Sequence, residues 1–269
     1  MFQTIRKCKS CRLRFVSPLG NFHGENETKE YFLSEYLPLH EANWGNSLAE
    51  RRAHLQMIQK YFPLPLRPKL LDVGCALGFM LQEAKAAGWE ATGVETSPFA
   101  AKYAEDHSGC GVYPGTLHQA NFNSDSFDVV TLMDVIEHLP DPCALVDEIY
   151  RVLRPGGALF LTTPNFGSLF VTFYGANAYG IGPEEHVSYF QPETISRLLR
   201  QSGFTKVVTG SKDLYAANLK RLIRRGTSAD NSIKSAFSSR KPLGRLRRFA
   251  NRIFMHVPIG DKLLAMAQK

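Results

Sequence analysis

Residues 70–80 limit the possible folds more than any other part of the chain. An apolar run ends at Asp72, glycines follow at Gly74 and Gly78, and a helical pattern begins directly after them. A second apolar segment ends at the acidic Glu95. This order of strand, glycine turn, helix and acidic strand end predicts a nucleoside-binding βαβ unit.

The turn also indicates which nucleoside would bind. Glycine leaves room for a ligand to lie against the backbone, and the following helix offers free N–H groups in its first turn. Dinucleotide enzymes have a glycine in the middle of this turn, where the pyrophosphate approaches the backbone most closely, but this chain has Ala76. The methyl group of Ala76 therefore favours S-adenosylmethionine, which carries no phosphate, over NAD.

Three later motifs resemble class I S-adenosylmethionine-dependent methyltransferases, in the order of that family. Residues 125–142 (DSFDVVTLMDVIEHLPDP) are similar to its fourth strand and following turn, and residues 153–165 (LRPGGALFLTTPN) to its fifth strand. Residues 186–204 (HVSYFQPETISRLLRQSGF) resemble a late helix of the ubiquinone-pathway-like group, the methyltransferase domain 23 type. The resemblance spans about residues 68–208.

The resemblance implies an α/β fold, a Rossmann-like, doubly wound sheet of seven strands, mostly parallel with an antiparallel final strand. The alternation of strand and helix patterns along the chain independently predicts a parallel sheet. The strands are expected at 69–73, 91–95, 111–113, 127–133, 158–162, 206–209 and 262–269.

We predict three regions along the chain. The N-terminal segment, 1–62, contains a turn like half of a zinc ribbon and one or two helices that cap the cofactor pocket. Residues 63–211 form the S-adenosylmethionine-binding core. Residues 212–269 form a basic, partly helical insertion and the closing strand.

The resemblance also implies the cofactor-binding residues. The amino-acid end of the cofactor would be held by the turn after the first core strand, the ribose by Glu95, and the adenosine by the residues that follow the next two strands. The two residues that end the fourth strand would lie beneath the sulfonium. The full set is Asp72, Gly74, Cys75, Ala76, Gly78, Glu95, Thr96, Ser97, Thr116, Leu117, Met133 and Asp134.

His138 and His186 are the candidate catalytic residues. Methyl transfer from a sulfonium needs mainly alignment, and a base is required only when the acceptor is a hydroxyl that must lose its proton. His138 follows the fourth strand, and His186 follows an aromatic loop, residues 166–179, that we expect over the same pocket mouth. The alternative for each is a structural role, at a helix entry or as a loop anchor.

Two sets of residues raise the question of a metal. The first set resembles, in its spacing, the divalent-metal site of quinone O-methyltransferases and consists of Asp134, Glu137 and His138. It departs from that site at Asp134, where the site has Glu. We predict no metal here. Cys8 and Cys11 form one Cys-x-x-Cys pair, whereas a structural zinc site needs four ligands, so zinc is not expected.

The basic charge of the chain belongs to one late segment. The formal net charge is +7, and residues 212–252 contain 12 Lys and Arg against 2 Asp. Towards its end, residues 245–254 have an amphipathic pattern. It fits peripheral membrane contact through residues 240–254, a phosphate-bearing substrate, RNA, or a cap that packs on the core. We expect no DNA partner, and RNA only as an alternative.

Composition indicates the compartment. The five cysteines are odd in number, which argues against a disulfide framework, and the start of the chain has no apolar signal-peptide core. We therefore expect a cytoplasmic protein, with membrane association as an option.

Together these features predict methyl transfer to a small-molecule acceptor, through a hydroxyl oxygen. A quinone precursor, a glycan or lipid-linked sugar, and a secondary metabolite all remain open as acceptors. The alternatives are an RNA methyltransferase that uses residues 212–252, and a non-catalytic binding protein that retains the cofactor fold.

Overall fold

The computed structural model describes residues 4–19, 29–38, 43–175, 178, 181–182, 186–213 and 259–269. None of the helices in these ranges combines the length and the apolar character that crossing a bilayer requires. Apart from Lys212 and Asp213, the basic segment 212–252 lies outside the described residues, and so do residues 240–254 of the predicted membrane contact.

Ten strands are described. They are β1 (Thr4–Lys7), β2 (Arg14–Ser17), β3 (Lys69–Val73), β4 (Glu90–Glu95), β5 (Gly111–Pro114), β6 (Phe127–Met133), β7 (Leu153–Pro164), β8 (Ser188–Tyr189), β9 (Thr205–Lys212) and β10 (Lys262–Gln268).

The helices lie between these strands. They are α1 (Lys29–Tyr31), which continues as a π-helical turn (Phe32–Tyr36), α2 (Trp44–Tyr61), α3 (Phe79–Ala86), α4 (Pro98–Ser108), α5 (Leu117–Ala120), α6 (Pro142–Val152), α7 (Leu169–Tyr174) and α8 (Pro192–Gln201), with a 3₁₀ turn at Ile136–His138.

Seven strands form the main sheet, in the order β5-β4-β3-β6-β7-β10-β9. The first five pair in parallel, and β10 runs antiparallel to both of its neighbours, β7 and β9. The predicted mostly parallel sheet with an antiparallel final strand is confirmed. The strand order reverses beside β3, and ligands of such sheets bind at this point, beyond the carboxyl ends of the strands.

Both faces of the sheet are covered, because adjacent strand residues point to opposite sides. Leu71 of β3 packs in one apolar cluster with residues of α6 and α8, whereas the preceding Leu70 packs in a second cluster with residues of α2 and α3. Two of the helices begin at an N-cap that is followed by a proline: Ser97 caps α4 and Asp141 caps α6.

Two features differ from the expected elements. β7 begins at Leu153, well before the predicted start at 158, because Leu153 already pairs with Phe127 ahead of an irregularity in the ladder. A second sheet, in the order β1-β2-β8, joins the amino-terminal hairpin to the core through Ser188 and Tyr189. The division of the chain into 1–62, 63–211 and 212–269 stays a prediction.

Candidate active site

The turn after β3 has the backbone geometry that its glycines suggested. Gly74 and Gly78 have φ of 71° and 79°, and Ala76 between them has φ of 46°. A Cβ on Gly74 would lie 2.5 Å from Cγ2 of Val135, the residue that follows Asp134. Cys75 is buried, with 5% of its surface exposed. The turn is therefore held closely against the segment that follows β6.

Glu95 joins the end of β4 to this turn. Its Oε2 accepts a hydrogen bond from the Ala76 N–H (2.9 Å), and its Oε1 accepts from the Ser97 N–H (3.0 Å) and lies 3.4 Å from Thr96 Oγ1. The carboxylate is buried, with 7% of the residue exposed. Three other predicted cofactor residues thus lie around the Glu95 carboxylate.

Asp72, near the end of β3, has a buried carboxylate. Its Oδ1 accepts a hydrogen bond from Thr131 Oγ1 at 2.6 Å, and only 3% of the residue is exposed. Burial raises the pKa of Asp72 to about 7, since the ionised form loses hydration, although the hydrogen bond from Thr131 acts in the opposite direction. A cation beside Asp72 would favour its ionised form.

Thr116 and Leu117, the predicted adenine neighbours, follow β5. The Gly115 N–H donates to the Glu95 backbone carbonyl (2.8 Å), which places this segment beside the end of β4. Thr116 Oγ1 accepts a weak bond from the Gln119 N–H (3.3 Å) in a capping box that starts α5. Leu117 is 2% exposed and belongs to the apolar core.

Met133 and Asp134 end β6 on the other side of the cleft. Asp134 has φ of 57°; its Oδ2 accepts from Lys262 Nζ (2.5 Å), and its Oδ1 accepts from Thr162 Oγ1 (3.0 Å). Burial acts to raise the pKa of Asp134, but the charge and hydrogen bond of Lys262 outweigh it and hold the pKa below its ordinary value. Asp134 is therefore an ionised partner of Lys262.

His138 and His186 lie together, as predicted. Their ring centroids are 4.8 Å apart, with the planes at 70°. Glu137, which is 2% exposed, lies beside them, and its Oε2 accepts a hydrogen bond from Thr163 Oγ1 (2.9 Å). Burial, followed by the negative charge of Asp134, raises the pKa of Glu137 to about 8.

The potential metal ligands differ from the set that the spacing suggested. Ligand atoms of Glu137, His138 and His186 all lie within 4.8 Å of one another, and this is the one such group of three among the described residues. Asp134 is instead engaged by Lys262 and Thr162. A carboxylate and two imidazoles suit divalent transition metals, and the absence of a metal stays a prediction.

Sequence reasoning missed Arg51 of α2, whose side chain is only 14% exposed. Its Nη1 is buried without a hydrogen-bond partner among the described residues, and the nearest carboxylate oxygen, of Glu50, is 3.8 Å away. The charge of Arg51 favours the ionised form of both Asp72 and Asp134 and so acts to lower the pKa of each carboxyl group. No spacing rule connects a capping helix to the cleft, so the sequence held no signal for this contact.

Tyr36 and Lys262 were missed for the same reason. Burial, opposed by the charge of Arg51 and reinforced by those of Asp134 and Glu95, raises the pKa of Tyr36 to about 12. The charges of groups from both sides of the cleft therefore act on its phenol. Lys262 reaches Asp134 from β10, far along the chain.

Sequence comparison identifies relatives of this chain. A family profile described as "Methyltransferase domain" matches residues 48–209. The ubiquinone biosynthesis O-methyltransferase of Thiobacillus denitrificans is 30% identical over 190 residues, which cover 66% of this chain and 78% of that protein. The protein of the same name from Azoarcus sp. is 32% identical over 186 residues, 65% of this chain and 76% of that protein.

Structure comparison agrees on the fold. A SAM-dependent methyltransferase from Archaeoglobus fulgidus superimposes with a TM-score of 0.59 at 22% identity and covers 88% of this chain and 100% of that chain. Phosphoethanolamine N-methyltransferase 2 from Haemonchus contortus, solved with S-adenosylmethionine, has a TM-score of 0.60 at 18% identity, with 95% and 61% covered. The predicted family, enzyme class and cofactor are thereby confirmed. The chain belongs to the methyltransferase domain family, and it is an S-adenosylmethionine-dependent methyltransferase.

Proposed function

We propose that this enzyme methylates a hydroxyl oxygen of a small molecule. The observation that carries the proposal is the contact between His138 and His186, at a centroid distance of 4.8 Å beside the buried Glu137. A hydroxyl acceptor must lose its proton during methyl transfer, and imidazole is the side chain best suited to accept it near neutral pH. The printed names of the relatives, O-methyltransferases, support the same chemistry.

The proposed cofactor position follows from the carboxylates and the glycine turn. Glu95 accepts hydrogen bonds from the ribose hydroxyls, and Thr116 and Leu117 border the adenine. At the other end, Asp72 accepts from the ammonium group and Arg51 donates to the carboxylate. The buried Nη1 of Arg51, which lacks a hydrogen-bond partner among the described residues, supports this assignment because a carboxylate would satisfy it.

The turn residues Gly74, Cys75, Ala76 and Gly78 would lie along the cofactor, with Thr96 and Ser97 beside the adenosine. Met133 and Asp134 would lie below the sulfur. Two alternatives remain outside this argument: an RNA acceptor and a membrane contact would both use residues that the structure does not describe.

The proposed mechanism uses these residues mainly for alignment and proton transfer. S-adenosylmethionine supplies a methyl group on a positively charged sulfur, so no further activation of the donor is needed. The cleft residues hold the acceptor oxygen in line with the methyl group, and such positioning alone is worth about 7–11 kcal/mol. One imidazole of the His138–His186 pair accepts the hydroxyl proton while the oxygen–carbon bond forms and the carbon–sulfur bond breaks.

A second candidate for the same step is a divalent cation held by Glu137, His138 and His186. It would act as a Lewis acid on the acceptor oxygen and lower the pKa of the hydroxyl. Its support is the proximity of the three ligand atoms. Turnover that survives exhaustive chelation would favour the imidazole base, whereas turnover lost on chelation and restored by one metal would favour the cation.

The test combines binding and turnover. Calorimetry with S-adenosylhomocysteine is followed by assays of a panel of small catechols, phenols and amines, with release of S-adenosylhomocysteine as the readout. We expect His138→Gln and His186→Gln to keep cofactor affinity and to lose about 10²- to 10⁴-fold in turnover.

His107→Gln is the matched control, because His107 lies on α4 and stacks on Tyr103. Methylation of amines alone, or full turnover in both His138→Gln and His186→Gln, would contradict the proposal.

A further inference from the structure

The residue after His186 is held between two different elements. The Val187 N–H donates to the Glu137 carbonyl (2.8 Å), directly before His138, and the Val187 carbonyl accepts from the Val16 N–H of β2 (3.0 Å). Ser188 Oγ also donates to a carbonyl of the same turn, that of Leu139 (3.2 Å). The backbone beside His186 is therefore fixed on one side by the His138 turn and on the other by the amino-terminal hairpin.

The hairpin, residues 4–17, is attached to the core by more than this hydrogen bond. Arg14 and Phe15 of β2 pair with Tyr189 and Ser188 of β8. Val16, with 1% of its surface exposed, packs in an apolar cluster that includes Tyr189.

The side chain of Arg14 adds two contacts to this attachment. Its guanidinium carbon lies 4.9 Å from the ring centroid of Phe166, and its Nη1 donates to Gln191 Oε1 (3.0 Å). Backbone and side chains thus tie the hairpin to both flanks of β8.

β8 cannot hold its own position, because it is only two residues long and so short a strand depends on its partners. Without β2, the Val187 carbonyl would lose its donor. The segment that carries His186 would then be held by the 3₁₀ turn before it, by the hydrogen bond from the Phe166 N–H to the Phe190 carbonyl (2.9 Å) after it, and by local contacts. The edge contact between the two imidazoles requires a defined position for both backbones. It therefore depends on the two backbone hydrogen bonds of Val187, to Glu137 and to Val16.

We propose that the amino-terminal hairpin is a positioning element of the active site, which holds the His186 imidazole against His138. The hairpin contributes no reacting group. It acts through Val16, Val187 and the β2–β8 pairing. Although residues 1–62 precede the core in sequence, the hairpin supports the part of the site that would bind the acceptor. The inference rests on the proposed role of the histidine pair, but its structural part can be tested separately.

Val16→Pro removes the N–H that Val187 accepts, and Arg14→Ala is a milder variant that leaves the backbone pairing intact. Lys7→Pro is the matched control: Lys7 is exposed on β1, and the alternation of the ladder directs its N–H away from β2. The readouts are the nuclear Overhauser effect between the two imidazoles, calorimetric binding of S-adenosylhomocysteine, and turnover of a water-soluble catechol.

In Val16→Pro we expect the inter-ring signal to disappear and turnover to fall at least tenfold, with S-adenosylhomocysteine affinity within twofold of wild type. Arg14→Ala should reduce both the inter-ring signal and turnover, but by less than Val16→Pro does. Lys7→Pro should change neither. An inter-ring signal that persists in Val16→Pro would overturn the inference.

Equal loss of cofactor binding and turnover would overturn it as well, because the hairpin would then support the whole fold. The proposed function would be contradicted if the wild-type enzyme showed the hairpin-dependent ring contact but methylated no hydroxyl. The positioning role of the hairpin would then still hold.

Discussion

Arg51→Met should weaken cofactor binding strongly while leaving the fold intact. The guanidinium is 14% exposed, so water screens a bound carboxylate little, and a hydrogen bond to a charged group in such a place is worth about 1.5–3 kcal/mol. This corresponds to a loss of about 10- to 150-fold in affinity for S-adenosylhomocysteine. The stability of the free enzyme should change little, because the variant also removes a buried donor that has no hydrogen-bond partner in the described part of the chain.

The neighbouring Arg52 provides the control. Its side chain is 62% exposed and pairs with Glu83 through Nε at 2.7 Å, away from the cleft carboxylates, so Arg52→Met should change affinity by less than about threefold. The assay is calorimetry with S-adenosylhomocysteine and, in parallel, with methylthioadenosine, which has the nucleoside but no carboxylate.

Arg51→Met should lose affinity for the first ligand only. Equal losses for both ligands, or none for either, would refute the assignment of Arg51 to the carboxylate.

Two further predictions concern the turn and its acidic neighbour. Because the pKa of Asp72 is about 7 and the ammonium of the ligand pairs with the ionised form, affinity for S-adenosylhomocysteine should rise as pH increases toward 7 and level off above it. Calorimetry between pH 5.5 and 8.5 checks this, with Asp72→Asn expected to lose the dependence. The folded-state pKa of Asp72 lies above its unfolded value of about 3.9. As pH rises from the unfolded to the folded pKa, Asp72 therefore lowers the free energy of unfolding of the free enzyme. Gly74→Ala should lower the free energy of unfolding by about 2–4 kcal/mol, since it combines a left-handed φ with a clash against Val135. Urea denaturation measures this free energy. The control is Gly45→Ala, which should show no loss because no atom lies within 4 Å of the new methyl group.

The sequence by itself determined the sheet and the cofactor, whereas the catalytic role of the two histidines stays a prediction. Glycines at 74 and 78, the apolar run before Asp72 and the acidic Glu95 follow local rules, because a sharp turn and a buried parallel strand each require particular residue types. Observed bounds of β3 and β6 therefore match the predicted ones, and the rings of His138 and His186 lie 4.8 Å apart.

Only the tertiary structure decided which side chains complete the cleft. The charge of Arg51, from an amino-terminal helix, acts on Asp72 and Tyr36, and Lys262 reaches Asp134 because β10 is inserted beside β7. The pairing of β2 with β8, which brings the hairpin to Val187, is likewise a contact between distant segments. No periodicity encodes such contacts: they form when separately specified elements pack together, so their partners become visible only in the folded chain.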